Sequence, residues 1–263
     1  MHPRHRLLLD LIATTGPEAR VGVLAATLRV TPATVRRDLE ALQSQGLVER
    51  THGGACLSPP GRIEFCFRQR GEAMASAKRA IAAAVAALVR PGMTVSLDTG
   101  TTVLEVARAL APQPDLRVLT TSLAAAAALH GCPGIQLVLL GGLMRRDEPD
   151  LYGDLAEENL ARFHVDLAVL GADGATPEGL WATDPAVVQT SRALIRSSDR
   201  RVLAADSSKF GHKAFVCFAE WSAIGTVVTD AGIRRPDATW ARELPGLVVA
   251  APLTEAQRRR TVP

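Results

Sequence analysis

The sequence predicts a small helical domain closed by a hairpin, followed by a larger α/β domain built on a mainly parallel sheet. Three observations carry that expectation. At 263 residues, 47% apolar and 22% charged, the chain has the length of two ordinary domains and a composition that excludes disorder along its whole length. The first 57 residues read as three short helices and a turn-rich hairpin. From Ala77 onward, helical stretches alternate with short, almost wholly apolar strands, the pattern of a parallel sheet covered on both faces. The expected organisation is therefore a helical domain over 1–57, a linker over 58–75 and an α/β domain over 76–263.

Leu7, Leu8, Leu11 and Ile12 fall on one face of a first helix that should end near Gly16 and Pro17. Val21 to Leu28 makes a short second helix. Thr31-Pro32 is an N-cap followed by proline at the first helical position, where the missing N–H does no harm. A third helix should run from Pro32 to about Gln45, with Val35, Leu39 and Leu42 buried together and Thr34, Arg36 and Arg37 on other faces. Gly46 stops it. Leu47 to Arg50 and Ala55 to Leu57 flank a glycine-bearing turn, Thr51 to Gly54. Helix, short helix, helix, hairpin is the order of a winged helix-turn-helix.

Residues 58 to 75 open on Ser-Pro-Pro-Gly and show no clear period, which reads as a linker. Helices are then expected over Ile81–Val89, Val103–Leu110, Leu123–Leu129, Leu155–Arg162 and Val187–Arg196. Strands are expected over Met93–Leu97, Arg117–Leu119, Ile135–Leu140, Leu167–Leu170 and Arg201–Ala205, with late ones at Val227-Val228 and Leu247–Ala250.

The net charge of +3 is too mild to announce nucleic acid or a membrane. Its make-up is more telling: 27 Arg stand against three Lys, at 78, 209 and 213. Seven Arg and five acids fall within residues 1–57, so most of the small surplus lies there. Four cysteines without a C-x-x-C pair support neither a disulfide framework nor a zinc site, and the histidines lack metal-ligand spacing. Asp10 breaks the early leucine run and no apolar stretch has the length of a membrane span, so neither export nor a membrane is expected. A reducing cytoplasm fits best, and no cofactor or metal is expected.

A recognition helix sets its N-terminal residues against base edges while a wing sets basic residues against phosphates. Thr31, Thr34, Arg36 and Arg37, with Arg50 and His52 in the hairpin, are the candidate DNA-contacting residues. Arginine reads guanine in bidentate fashion for roughly 1–3 kcal/mol of discrimination. An amphipathic helix with solvated arginines also yields an Arg-Arg pair; the surrounding helix order favours DNA.

The run Val30-Thr-Pro-Ala-Thr-Val-Arg-Arg-Asp-Leu-Glu-x-Leu42, followed by Arg50-Thr-His-Gly-Gly-Ala55, resembles the DeoR family of bacterial transcription regulators. The resemblance continues through Arg70, Lys78-x-x-Ile-Ala82, Leu97-Asp-Thr-Gly-Thr-Thr102, Leu140-Gly-Gly142, Gly153, Asp166 to Gly171, and Asp206-Ser-Ser-Lys-Phe-Gly211. It implies an N-terminal domain that binds double-stranded operator DNA, in most such proteins as a repressor. It also implies a C-terminal sensor for a small phosphorylated sugar or sugar derivative, with a fold similar to the sugar-phosphate isomerases and CoA-transferases. A homo-oligomer, dimer or tetramer, is expected, since one small winged domain reaches few bases.

Read physically, Asp98, Gly100, Thr101 and Thr102 end a strand and open a helix, where free N–H groups, hydroxyls and the positive helix end favour a phosphate. A tight turn capped by a threonine is the alternative. Thr121-Ser122 and Gly141-Gly142 repeat the device after the next two strands, and turns at neighbouring carboxyl ends converge on one crevice. Lys209, in a chain so poor in lysine, offers a compact ammonium suited to a phosphate or sugar oxygen. Asp173, in a glycine turn, either meets ligand hydroxyls or is structural. Lys78 reads as an ion pair or domain contact, and Lys213 as a surface charge. Arg145-Arg146 either hold an anion near Gly142 or belong to a solvated loop, and Arg258 to Arg260 read as a solvated terminus. Three departures from the family pattern concern effector choice: Thr121 replaces the usual Asn, and Val187 and Ser191 replace a Glu and a Lys. Ala77 for an acid is a lesser one.

The reading is a DNA-binding regulator that is not an enzyme. The alternative, isomerase or transferase activity in the C-terminal domain, would rest on Asp173 and Lys209 but needs a second carboxylate or base beside the first.

Overall fold

A computed structural model of the chain describes residues 2–15, 19–234 and 236–254. The expected helix stop at Gly16 and Pro17 and the Arg258 to Arg260 tail lie outside them. The chain divides into two compact units, Met1–Glu72 with Arg146–Glu148, and Ala73–Arg145 with Pro149–Pro263.

The first unit contains α1 (Pro3–Thr15), β1 (Ala19–Arg20), α2 (Val21–Leu28), α3 (Pro32–Ser44), β2 (Val48–Thr51), β3 (Gly54–Leu57) and α4 (Pro59–Glu72). The helix-turn-helix and wing are as expected. β2 and β3 pair antiparallel from Val48↔Leu57 to Thr51↔Gly54, so the turn shrinks to His52-Gly53. The two wing glycines have different causes. Gly53 has φ +86, which a side chain rarely adopts, whereas a Cβ on Gly54 would lie 2.4 Å from the Ala19 carbonyl oxygen. That closeness lets β1 join β3, a pairing with no sequence signal. The core holds Leu8, Leu9 and Ile12 of α1, Leu24 of α2, and Val35, Leu39 and Leu42 of α3. Leu7, expected inside, is 54% exposed and Leu9 replaces it. The physical reason is at the helix start, where Arg4 and His5 both reach Asp38 of α3 and turn the Leu8–Leu9 face inward.

The linker expectation for 58–75 is corrected. Residues 59–72 form α4, because Ser58 is an N-cap whose Oγ accepts from the Gly61 N–H at 3.0 Å and Pro59 occupies the first helical position. Ser-Pro-Pro-Gly was therefore a helix start, and Arg68 of α4 ties back to Asp10 at 2.6 Å.

The second unit contains α5 (Ala75–Ala86), β4 (Thr94–Leu97), α6 (Thr101–Leu110), β5 (Leu116–Thr120), α7 (Leu123–Leu129), β6 (Ile135–Leu139), β7 (Leu143–Met144) and β8 (Leu151–Tyr152). There follow α8 (Asp154–Leu160), β9 (Val165–Leu170), β10 (Gly174–Thr176), β11 (Gly179–Ala182), α9 (Val188–Arg196), β12 (Ser198–Ala204), β13 (Val216–Ala219), β14 (Thr226–Asp230) and β15 (Leu247–Ala250). Seven strands form one parallel sheet in the order β15-β14-β12-β9-β4-β5-β6. Both faces are buried, as the continuous apolar strands require. Val95, Leu97 and Val118 pack with Ile81, Val106 and Leu129 of α5, α6 and α7. Leu119, Leu170 and Leu203 face the other way, against Leu160 of α8 and Leu194 of α9.

α5 begins six residues before the expected Ile81, since Ala75-Ser-Ala-Lys-Arg79 are mostly strong helix formers. A small antiparallel sheet, β10-β11-β13, was not foreseen; its strands are too short to show a period. Among the described residues no helix is long and apolar enough to cross a membrane.

The sheet order fixes where a ligand crevice belongs. β4 lies inside the sheet; the chain moves outward through β5 and β6, then returns to lay β9 on the other side of β4. Strand order reverses between β4 and β9, and the crevice outside their carboxyl ends is the usual ligand position in such sheets.

Candidate functional site

On the first unit, Thr31 caps α3, its Oγ1 accepting from the Thr34 N–H at 3.2 Å, and the two hydroxyls meet at 2.9 Å. Arg36 and Arg37 are exposed, and among the described residues neither makes an ion pair or side-chain hydrogen bond. Arg50 in the wing lies 3.8 Å from Glu40 of α3, a loose pair that bridges wing and helix. His52 is exposed at the wing tip. All six candidate DNA contacts thus belong to α3, its cap or the wing.

On the second unit, Asp98 stands just after β4, at the reversal of strand order, and is buried. Its carboxylate accepts from the Gly171 N–H at 3.3 Å, just after β9, and from the Ser191 hydroxyl of α9 at 3.4 Å. Burial pushes its pKa up to about 6, against hydrogen bonds from Thr99, Gly171 and Ser191 that favour the charged form; the Asp150 carboxylate adds to the rise. The Gly171 and Ser191 hydrogen bonds are long, at 3.3 and 3.4 Å, and leave the carboxylate under-compensated for its loss of water.

Gly100, with φ +99, turns the chain into α6, whose N-terminus carries no side-chain cap. The first helical residue, Thr101, accepts from the Lys78 ammonium of α5 at 3.0 Å. Lys78, for which the sequence suggests an ion pair or domain contact, is 4% exposed, and its ammonium reaches the start of α6. Its signal in the sequence is the same scarcity of lysine that points to Lys209. Thr102 is buried beside Thr101. Thr121, after the neighbouring strand, is buried with a hydroxyl that has no hydrogen-bond partner among the described residues. Ser122 is committed to structure, since its Oγ caps α7 by accepting from Ala125 N–H at 3.1 Å.

Gly141 is exposed after β6, but Gly142 has a structural cause. A Cβ there would lie 2.7 Å from the Tyr152 carbonyl oxygen. Asp173 is exposed and accepts from the Thr183 N–H at 2.8 Å, which accounts for it as a turn residue. Lys209 sits in a short turn after β12, half-buried, with no carboxylate within ion-pair reach among the described residues. Arg145 neither awaits an anion nor hangs in a solvated loop: it clamps buried Asp150 at 2.8 Å and lies 3.4 Å from Asp184. Lys213 is a surface charge, 3.7 Å from Glu178 and over the Trp181 ring. The turns after β4, β5 and β6 are neighbours in the sheet, with the turns after β9 and β12 on the other side of β4.

Residues 4–59 match the model of the DeoR-like helix-turn-helix domain, and residues 73–231 match that of the DeoR C terminal sensor domain. The chain belongs to the DeoR family. It is a DNA-binding transcription regulator with a C-terminal sensor domain. Relatives include a putative aga operon transcriptional repressor of Escherichia coli O157:H7, 32% identical over 81% of this chain and 81% of that one. The glycerol-3-phosphate regulon repressor of Escherichia coli K12 is 33% identical over 87% of this chain and 90% of its own. Among solved structures, ribose 5-phosphate isomerase A from Neisseria gonorrhoeae matches with a TM-score of 0.38 and 18% identity over 51% of this chain and 52% of that one.

Two of the departures from the DeoR-family pattern, Thr121 and Ser191, are buried. The Ser191 hydroxyl reaches Asp98, and Thr121 carries one of several buried hydroxyls without a hydrogen-bond partner among the described residues. Val187 lies one residue before α9, and Ala77 on α5 precedes Lys78.

Proposed function

We propose that this DeoR-family regulator is a cytoplasmic homo-oligomeric repressor, dimer or tetramer. In this reading it binds double-stranded operator DNA through α3 and the β2–β3 wing, and releases or tightens on it when a small phosphorylated sugar or sugar derivative enters the crevice beside β4. Thr31, Thr34, Arg36, Arg37, Arg50 and His52 form the DNA face. Arg36 and Arg37, without an ion pair or side-chain hydrogen bond among the described residues, supply base and phosphate donors, and the capping of α3 by Thr31 presents them from a defined helix start.

The observation that carries the sensing half is the under-compensated Asp98 carboxylate at the reversal of strand order, beside an α6 N-terminus without a side-chain cap. In this reading the phosphate lies against the N–H groups of Gly100, Thr101 and Thr102, with Lys78 and Lys209 as cationic partners. Hydroxyls of the sugar donate to Asp98 and supply the hydrogen bonds it lacks, and Thr121 and Gly141 line the same edge. Ser191 in place of a longer charged residue leaves room beside Asp98, so the preferred effector differs in its hydroxyl end from one that a lysine there would take. Sensing and DNA binding divide near residue 73.

A mobility-shift assay with genomic fragments adjacent to its own gene, against competitor DNA, tests the operator half. A thermal-shift screen of sugar phosphates tests the other, since a ligand at 100 times its Kd stabilises by about 2.7 kcal/mol. If no phosphorylated sugar stabilises a protein that binds its operator, the effector assignment fails.

A further inference from the structure

Asp38 follows Arg36 and Arg37 on the recognition helix and stands on a DNA-facing element with a negative charge. At about 100° per residue it lies between the Val35–Leu39–Leu42 core face and the flank that carries Thr34 and Arg37. A bare carboxylate there would repel the phosphate backbone that the arginines attract. The carboxylate is not bare. Arg4, in the first turn of α1, donates to both of its oxygens, Nε to Oδ2 at 2.6 Å and Nη2 to Oδ1 at 2.9 Å. His5 Nε2 lies 3.3 Å from Oδ1. Asp38 is only 5% exposed, whereas the Arg4 side chain is 36% exposed, so what this pair shows to solvent is the Arg4 side chain and not the carboxylate. The Arg4 hydrogen bonds hold the Asp38 carboxyl below its ordinary range. The first turn of α1 contributes no acid of its own.

We propose that Arg4 is a charge-masking, positioning residue of the DNA interface: by pairing with Asp38 it turns the acidic flank of α3 into a surface that a phosphate backbone approaches. The proposal rests on the DNA-binding reading of α3 and extends the interface to α1, outside the recognition helix and wing. Masking predicts what a purely structural ion pair does not: Arg4→Ala lowers both DNA affinity and its salt dependence in a protein that stays folded, and removing the acid as well restores both.

The test uses full-length protein, sonicated double-stranded DNA as a sequence-independent probe, and fluorescence anisotropy over a salt series. Arg4→Ala should weaken binding about tenfold or more and reduce the slope of log K against log salt by about one. Asp38→Asn should bind within about threefold of the parent, and Arg4→Ala/Asp38→Asn should recover most of what Arg4→Ala lost. A double variant no tighter than Arg4→Ala, or an Arg4→Ala protein with parental affinity and slope, overturns the proposal. Circular dichroism controls for folding. If Arg4→Ala does not fold, Asp38→Asn alone decides, because a folded Asp38→Asn protein that loses more than tenfold in affinity is incompatible with an acid that needs masking. Parental protein with no affinity for any duplex would instead overturn the DNA-binding reading itself.

Discussion

At the scale of single residues, Asp98 links stability to function most directly. Its pKa is raised from 3.8 to about 6, so the native state binds more protons than the unfolded chain between those values. Stability from this group is therefore fully present below about pH 4 and is lost as pH rises through 6. A shift of that size is worth up to about 3 kcal/mol. Asp98→Asn should accordingly stabilise the ligand-free protein at pH 7.5, with the gain shrinking towards zero near pH 4, and should abolish stabilisation by sugar phosphates. Urea unfolding at the two pH values checks the first, and a thermal-shift titration the second. Equal stability of the two proteins at pH 7.5 would mean that Asp98 is not under-compensated. Asp98, Gly100 and Thr101 were legible in the sequence because a strand-end glycine before a threonine pair has a local cause. The Lys78–Thr101 contact was not, since Lys78 reaches the start of α6 from a distant helix, and Ser191 entered only through the family resemblance.

At the scale of elements, the DNA-reading unit was the most legible part, because caps, prolines and a three-residue hydrophobic spacing are local signals. Arg37→Ala should weaken operator binding by about 5- to 150-fold, the worth of one bidentate base contact, in an anisotropy titration. Unchanged affinity would remove Arg37 from the interface. α4 shows how the same signals mislead: Ser-Pro-Pro-Gly without a following period reads as the opening of a linker, although serine before proline is also the signature of a helix start. Ser58→Ala should cost about 0.5–2 kcal/mol in thermal or urea unfolding, the loss of an N-cap. Gly54→Ala should cost on the order of 1–3 kcal/mol, because its Cβ lands 2.4 Å from the Ala19 oxygen and forces β1 away from the wing. The β1–β3 pairing could not be read from two residues without a pattern, whereas the seven-stranded parallel sheet was legible from apolar runs alone.

At the scale of the whole molecule, the small net charge of +3 means that affinity for DNA must come from a local face and not from the overall field. A single winged domain supplies few base contacts, so useful specificity needs two of them on half-sites about one helical turn apart, roughly 34 Å. Regulation then follows from linkage. An effector that binds the DNA-free and DNA-bound states equally changes nothing, whatever its affinity. If a sugar phosphate weakens operator binding by some factor, saturating operator DNA must weaken that sugar phosphate by the same factor, commonly 5- to 150-fold, or about 1–3 kcal/mol. Calorimetric titration of the effector into protein alone and into the protein–operator complex measures it, and anisotropy measures the reciprocal quantity. Lys209→Ala should lower effector affinity in both titrations while leaving operator affinity without effector unchanged. A variant that loses operator affinity instead would place Lys209 in the route between the two sites and not in the crevice that receives the phosphate.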